Sequence, residues 1–99
     1  FSQQSHYPQV RAKALISLAE VERRQKNLDL AITKQLKAIN ILEEIGAKCD
    51  LAESYYQLGI TQQQLGENYN KSFEKAIQLF TEIEAPKQIE KVQKAINFL

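Results

Sequence analysis

Between Asp29 and Ile45 the apolar residues Ala31, Ile32, Ala38, Ile39, Ile41, Leu42 and Ile45 recur at intervals of three, four and seven. That spacing gathers side chains on one face of an α-helix. Tyr69, Phe73, Ala76, Ile77, Phe80 and Ile83 repeat the pattern later in the chain. The periodicity predicts five helices, at about residues 8–26, 29–45, 48–65, 70–84 and 86–98. Turn chemistry falls between them. Asn27 and Asp29 suit the stop of the first helix and the N-cap of the second, and Gly66 with Asn68 or Asn70 suits the same task between the third and fourth. Pro8 and Pro86 stand where a first helical turn tolerates a missing N–H. With only three glycines and two prolines in 99 residues, few turns remain for strand hairpins, and the predicted class is all-α.

The pattern also repeats on a longer scale. Sliding residues 41–59 back by 40 places Leu58 on Leu18, Gly59 on Ala19 and Ala52 on Ala12. Sliding them forward by 38 pairs Glu44 and Ile45 with Glu82 and Ile83, Ala47 with Ala85, Leu51 with Ile89 and Leu58 with Ile96. The unit is therefore a helix pair. One domain, residues 1–99, divides into repeats at 8–46 and 47–85, a capping helix at 86–99, and residues 1–7 as the tail of a preceding repeat, since Phe1 falls on Ile41. The chain is expected to be a piece of a longer array. Cys49 shares its joint position with Gln9 and Lys87, three side chains with no common chemistry, so it is read as a joint residue rather than a reactive one.

The expected core is Leu15, Leu18, Ala19, Ala31, Ala38, Leu42, Leu51, Tyr55, Leu58, Phe73, Ala76, Ile77, Phe80, Ile89, Val92 and Ile96. Small residues at Ala19, Gly59, Ala31 and Ala38 allow close helix approach, which bulk there would prevent.

These residues resemble the tetratricopeptide repeat. Leu15, Leu18, Ala19, Ala31 and Ala38 match the pattern of its two helices in the first copy, and Tyr55, Leu58, Gly59 and Ala76 in the second. Several positions depart from it. Glu22, Gln62 and Gln35 stand where the family favours aromatics, the closing proline near Glu43 is absent, and the period is 38 to 40 rather than about 34. The long period is similar to that of helical arrays attached to bacterial signalling ATPases, cyclases and transcriptional activators.

The resemblance implies a right-handed superhelix of antiparallel helix hairpins whose first helices line a concave groove. It places Lys13, Ile16, Glu20, Arg23 and Arg24 in that groove from the first helix, and Glu53, Tyr56, Ile60, Gln63 and Gln64 from the third. Tyr56 and Ile60 lie outside the core stripe and are the apolar part of the surface. Ser17 and Gln57 stand where family members that clamp a C-terminal carboxylate carry asparagine, so the resemblance implies that this clamp is absent. Glu20 precedes Arg24, and Glu22 precedes Lys26, by four residues, the order that supports a solvated helix face.

Composition narrows the alternatives. Thirteen basic against twelve acidic side chains leave a net charge of +1, so no global field favours nucleic acid or an anionic membrane. Charge is uneven, however: residues 1–26 carry five basic and two acidic side chains, net +3, and residues 41–67 carry one basic and five acidic, net −4. No apolar run is long enough to span a bilayer. One cysteine forms no internal disulfide, and a reducing, cytoplasmic setting is expected. His6 is the sole histidine, and no nucleophile, phosphate-loop or metal motif is present, so neither enzymatic activity, a cofactor nor a metal is expected. The resemblance then implies a scaffold that binds a protein or peptide. A regulatory or ligand-sensing segment of a multidomain signalling enzyme or transcriptional regulator is the alternative, and self-association through exposed terminal helices is a further expectation.

Overall fold

Residues 7–97 are described in the computed structural model. They form α1 (Pro8–Arg24), α2 (Leu28–Ile45), α3 (Lys48–Leu65), α4 (Asn70–Glu82) and α5 (Pro86–Asn97). The described residues contain no strand. The expected tail at Phe1–Ser5, His6 and the last two residues of the expected capping helix lie outside them. Each helix packs on the next in chain order, giving a flat slab of 46 × 33 × 17 Å.

One backbone device ends the first four helices. A residue in the left-handed region follows each: Lys26 (φ 71°), Gly46 (φ 70°), Gly66 (φ 78°) and Glu84 (φ 56°). The next N–H then reaches back five residues, from Asn27 to Glu22 O (2.8 Å), Ala47 to Leu42 O (3.1 Å), Glu67 to Gln62 O (2.9 Å) and Ala85 to Phe80 O (2.9 Å). This is the Schellman arrangement, which satisfies carbonyls that would otherwise be orphaned at a helix end. Left-handed Lys26 and Glu84 are why α1 and α4 each stop two residues before the positions expected from periodicity alone. Pro8 and Pro86 open their helices as expected. Asn27 holds the N-cap position of α2, but its side chain makes no cap bond. It donates instead to Glu22 Oε1 at 3.0 Å.

Small residues let α1 meet α2, and α3 meet α4, closely. Ala12, Ala19, Ala31, Ala38, Ala52 and Ala76 are fully buried, with Leu42, Phe73, Phe80 and Val92 as the large side chains among them. Leu15, Tyr55, Ile77, Ile89 and Ile96 pack against this core while remaining half-buried. Ile39 and Leu79 belong to the core as well.

The aromatic positions that the sequence fills with polar residues are hydrogen-bonded across helices. Glu22 takes Lys34 Nζ at 3.3 Å between α1 and α2, and at the equivalent place Gln62 takes Ser72 Oγ at 2.7 Å between α3 and α4. Asn27 and then Lys34 hold the Glu22 carboxyl below its ordinary pKa by hydrogen bonding to its charged form. Glu22 therefore pairs with Lys34 and not with Lys26, which has already left the helix. Buried Gln35 donates to Thr61 Oγ1 of α3 at 3.0 Å.

Leu18 does not join the core: it is 51% exposed, whereas its repeat-equivalent Leu58 is 4% exposed. Leu58 lies on α3 between Tyr55 and Thr61, which bond to Glu43 and Gln35 of α2; α1 packs chiefly on α2 and has no preceding helix among the described residues. Val10 and Val21 are exposed on α1 with it.

Candidate functional site

The first helix of each hairpin, together with α5, forms one face, and α3 is its central ridge. Spacing decides which way each α3 side chain leans. Glu53 and Gln57, one turn apart, line a cavity toward α1, while Tyr56, Ile60 and Gln63 line another toward α5.

The cavity between α1 and α3 has a volume of about 150 Å³ and is lined by Ile16, Glu20, Gln35, Glu53 and Gln57. Its amide groups are fixed by their partners. Arg23 Nη2 donates to Gln57 Oε1 at 3.3 Å, and Gln57 Nε2 donates to Glu53 Oε2 at 3.0 Å. Thr61 gives its single hydroxyl proton to Gln57 O at 3.0 Å and so accepts from Gln35 Nε2. Gln35 is 2% exposed, and its Oε1 has no hydrogen-bond partner among the described residues.

The cavity between α3 and α5 is larger, about 470 Å³, and is lined by Tyr56, Ile60, Gln63 and Ala95 with Lys87, Glu90, Lys91 and Lys94. Phe73 stands behind Tyr56 at a centroid distance of 6.1 Å and meets Tyr69 edge-on at 5.4 Å. Lys91 Nζ lies 4.7 Å from the centre of the Tyr56 ring and 2.9 Å from Glu53 Oε1. It therefore ties α5 to the ridge by a cation–π contact and an ion pair at once. Gln63 Nε2 donates to Ala95 O at 3.1 Å and closes the same seam.

The face thus unites Ile16, Glu20 and Glu53 in one cavity and Tyr56, Ile60 and Gln63 in the other. Arg23 reaches the first only through Gln57, and Arg24 only through a 3.1 Å pair with Glu20. Lys13 and Gln64 are exposed and line neither cavity. Tyr56 and Ile60 are half-buried against the core rather than fully outside it. The lysines of α5 are not among the groove residues that the sequence points to, since residues 86–99 are there a capping helix. The shift of 38 residues carries Glu53 to Lys91 and Tyr56 to Lys94, so the same register that placed the α3 residues also reaches them.

No three His, Cys, Asp or Glu side chains among the described residues converge as a metal site would, and Cys49 is exposed at the start of α3. The Tyr55 phenol is pushed up to about 12, first by burial and then by donation to Glu43 Oε2 at 2.9 Å, a contact that clamps α3 to the end of α2. No described helix is long and apolar enough to cross a membrane.

A family model of the tetratricopeptide repeat matches residues 10–85, from the first turn of α1 to the end of the α4–α5 joint. The chain belongs to the tetratricopeptide repeat family. Tetratricopeptide repeats mediate protein–protein interaction, are typically non-catalytic, and imply protein partners. Comparison with curated proteins and with solved structures gives no match. In tetratricopeptide terms α1 and α3 are the first helices of successive hairpins. The aromatic positions that this chain fills with Glu22, Gln35 and Gln62 hold the polar pairs described above.

Proposed function

We propose that this chain is a cytoplasmic interaction scaffold that seats a peptide, helix or partner domain on the face formed by α1, α3 and α5. The observation that carries it is the aromatic floor between α3 and α5. Tyr56 and Ile60 offer half-buried apolar surface in a cavity of about 470 Å³, and Phe73 and Lys91 hold the Tyr56 ring in place. A rigid aromatic in a pocket, rimmed by charge, is the anatomy of an interface hot spot. Residues 8–46 and 47–85 act as two repeats, and α5 completes the face as well as capping the array. The lone free thiol of Cys49 favours the reducing setting.

Exposed Val10, Leu18 and Val21 on α1 favour that helix, rather than α5, as the surface for self-association. Sedimentation of the chain and its Leu18→Glu variant at two concentrations tests this, and a strict monomer excludes it.

The decisive test for the face is affinity capture with the wild type and Tyr56→Ala, followed by thermal melting of both. A partner retained by the wild type and lost by a folded Tyr56→Ala variant supports the groove; equal retention overturns it.

A further inference from the structure

The two cavities differ in the hydrogen-bonding capacity that they leave open. In the cavity between α1 and α3, each lining amide nitrogen has one N–H engaged, Gln35 Nε2 with Thr61 and Gln57 Nε2 with Glu53. Both charged side chains among its lining residues are carboxylates. Glu20 and Glu53 carry carboxylates with lone pairs beyond those that Arg24, Lys91 and Gln57 occupy. Gln35, 2% exposed, has a carbonyl oxygen with no partner among the described residues, and a buried acceptor left unmet favours a donor. Acceptors with two carboxylates among them select a cationic N–H group. The cavity of about 150 Å³ accommodates the end of one such side chain.

Across the α3 ridge the balance reverses. Of the charged residues lining the α3–α5 cavity, Lys91 is engaged by Glu53, while Lys87 and Lys94 are exposed and outnumber Glu90. The apolar floor of Tyr56 and Ile60 lies between these lysines and the acidic cavity.

We propose that the face reads a dipolar segment: a cationic side chain seated on Gln35, Glu20 and Glu53, an apolar side chain on Tyr56 and Ile60, and an acidic side chain against Lys87 and Lys94. This rests on the interaction face proposed above and specifies the chemistry of what it takes. Neighbouring interhelical gaps are about 10 Å apart, so in an extended segment the cation stands about three residues from the apolar anchor. The acidic group follows the anchor directly, because the lysines rim the same cavity.

End-blocked synthetic peptides test this. In four peptides with one central phenylalanine, an arginine stands three residues to one side and glutamates on the other; or the order is reversed; or both flanks are arginine; or both are glutamate. Titration into the ¹⁵N-labelled chain, followed by NMR, reports on Tyr56, Ala95 and the Gln35 side-chain amide separately. One mixed-charge peptide should bind about tenfold tighter than either uniform one, the gain of roughly one charge-assisted contact. Glu20→Gln should then bring that peptide down to the all-glutamate one, and Lys94→Ala down to the all-arginine one. Gln35→Leu should lower the affinity of the mixed peptide in the same direction as Glu20→Gln.

If all four peptides shift Tyr56 with equal affinity, the dipolar assignment is overturned while the docking face stands. If the mixed peptides bind best but are insensitive to both Glu20→Gln and Lys94→Ala, the placement of the charges is wrong. If none shifts Tyr56 or Ala95, the interaction face itself falls, and the dipolar assignment with it.

Discussion

A Cβ added to Gly59 would stand 2.5 Å from Cε1 of Phe73 and within 3 Å of two further ring atoms, so the fully buried ring fills the space that the missing methyl leaves. The equivalent positions of the first hairpin hold Ala19 and Gln35. A glycine faces a phenylalanine in one copy, where the other copy carries an alanine and a glutamine at the same two repeat positions.

Gly59→Ala should therefore destabilise the chain by about 1–3 kcal/mol, although alanine is the better helix former by about 1 kcal/mol. Chemical denaturation measures the loss. Adding Phe73→Leu to the variant should cost less than the sum of the two single changes, because each relieves the other. Strict additivity would contradict the contact.

Lys26 and Glu84 adopt the left-handed conformation that Gly46 and Gly66 adopt without strain. Replacing Glu84 with glycine should stabilise the chain by up to about 1 kcal/mol, the relief of left-handed strain minus the extra freedom gained by the unfolded chain. Lys26→Gly should behave alike. The same change at exposed Lys71, which is helical, should lower the melting temperature instead.

Leu58 and Leu18 occupy one repeat position but differ in exposure, 4% against 51%. Leu58→Ala should cost about 2–5 kcal/mol. Leu18→Ala should cost less than about 1 kcal/mol, as a surface change does. Equal losses in parallel urea melts would show that α1 is covered in solution.

The Tyr55 phenol, pushed up to about 12, predicts a pH dependence at the alkaline end. Its contribution is complete below the unfolded value of about 10. Above that value the unfolded phenol ionises while the native one keeps its proton, so stability falls as pH rises toward 12. The difference in stability between wild type and Tyr55→Phe should narrow across that window. Spectrophotometric titration of the native chain should show a late-ionising tyrosine that is absent from the variant.

The sequence revealed the helices because the apolar residues of α2 and α4 keep a helical period throughout, and it revealed the joints because Gly46 and Gly66 mark two of the four. The other two were hidden: lysine and glutamate in left-handed turns carry no composition signal, and α1 and α4 were expected to run on through them. Leu18 was misplaced because periodicity tells which residues share a face and not whether another helix covers it. For the interaction face, the register identified Glu53, Tyr56 and Ile60, whereas Gln35 was visible only as a departure from an aromatic pattern. Its pairing with Thr61, 26 positions away, exists only once α2 lies against α3.

A chain built from two equivalent helix hairpins can pair their helices in exchanged ways, within one molecule or between two. The unlike polar pairs at equivalent positions supply the distinction. Setting α1 against α4 would place the Glu22 carboxylate beside the Ser72 hydroxyl and bring the Ala19 methyl toward the Phe73 ring; setting α3 against α2 would leave Lys34 facing the neutral amide of Gln62. Each exchange gives up an ion pair or creates a clash that correct pairing avoids. The departures from the family pattern thereby favour the observed pairing over its exchanged forms.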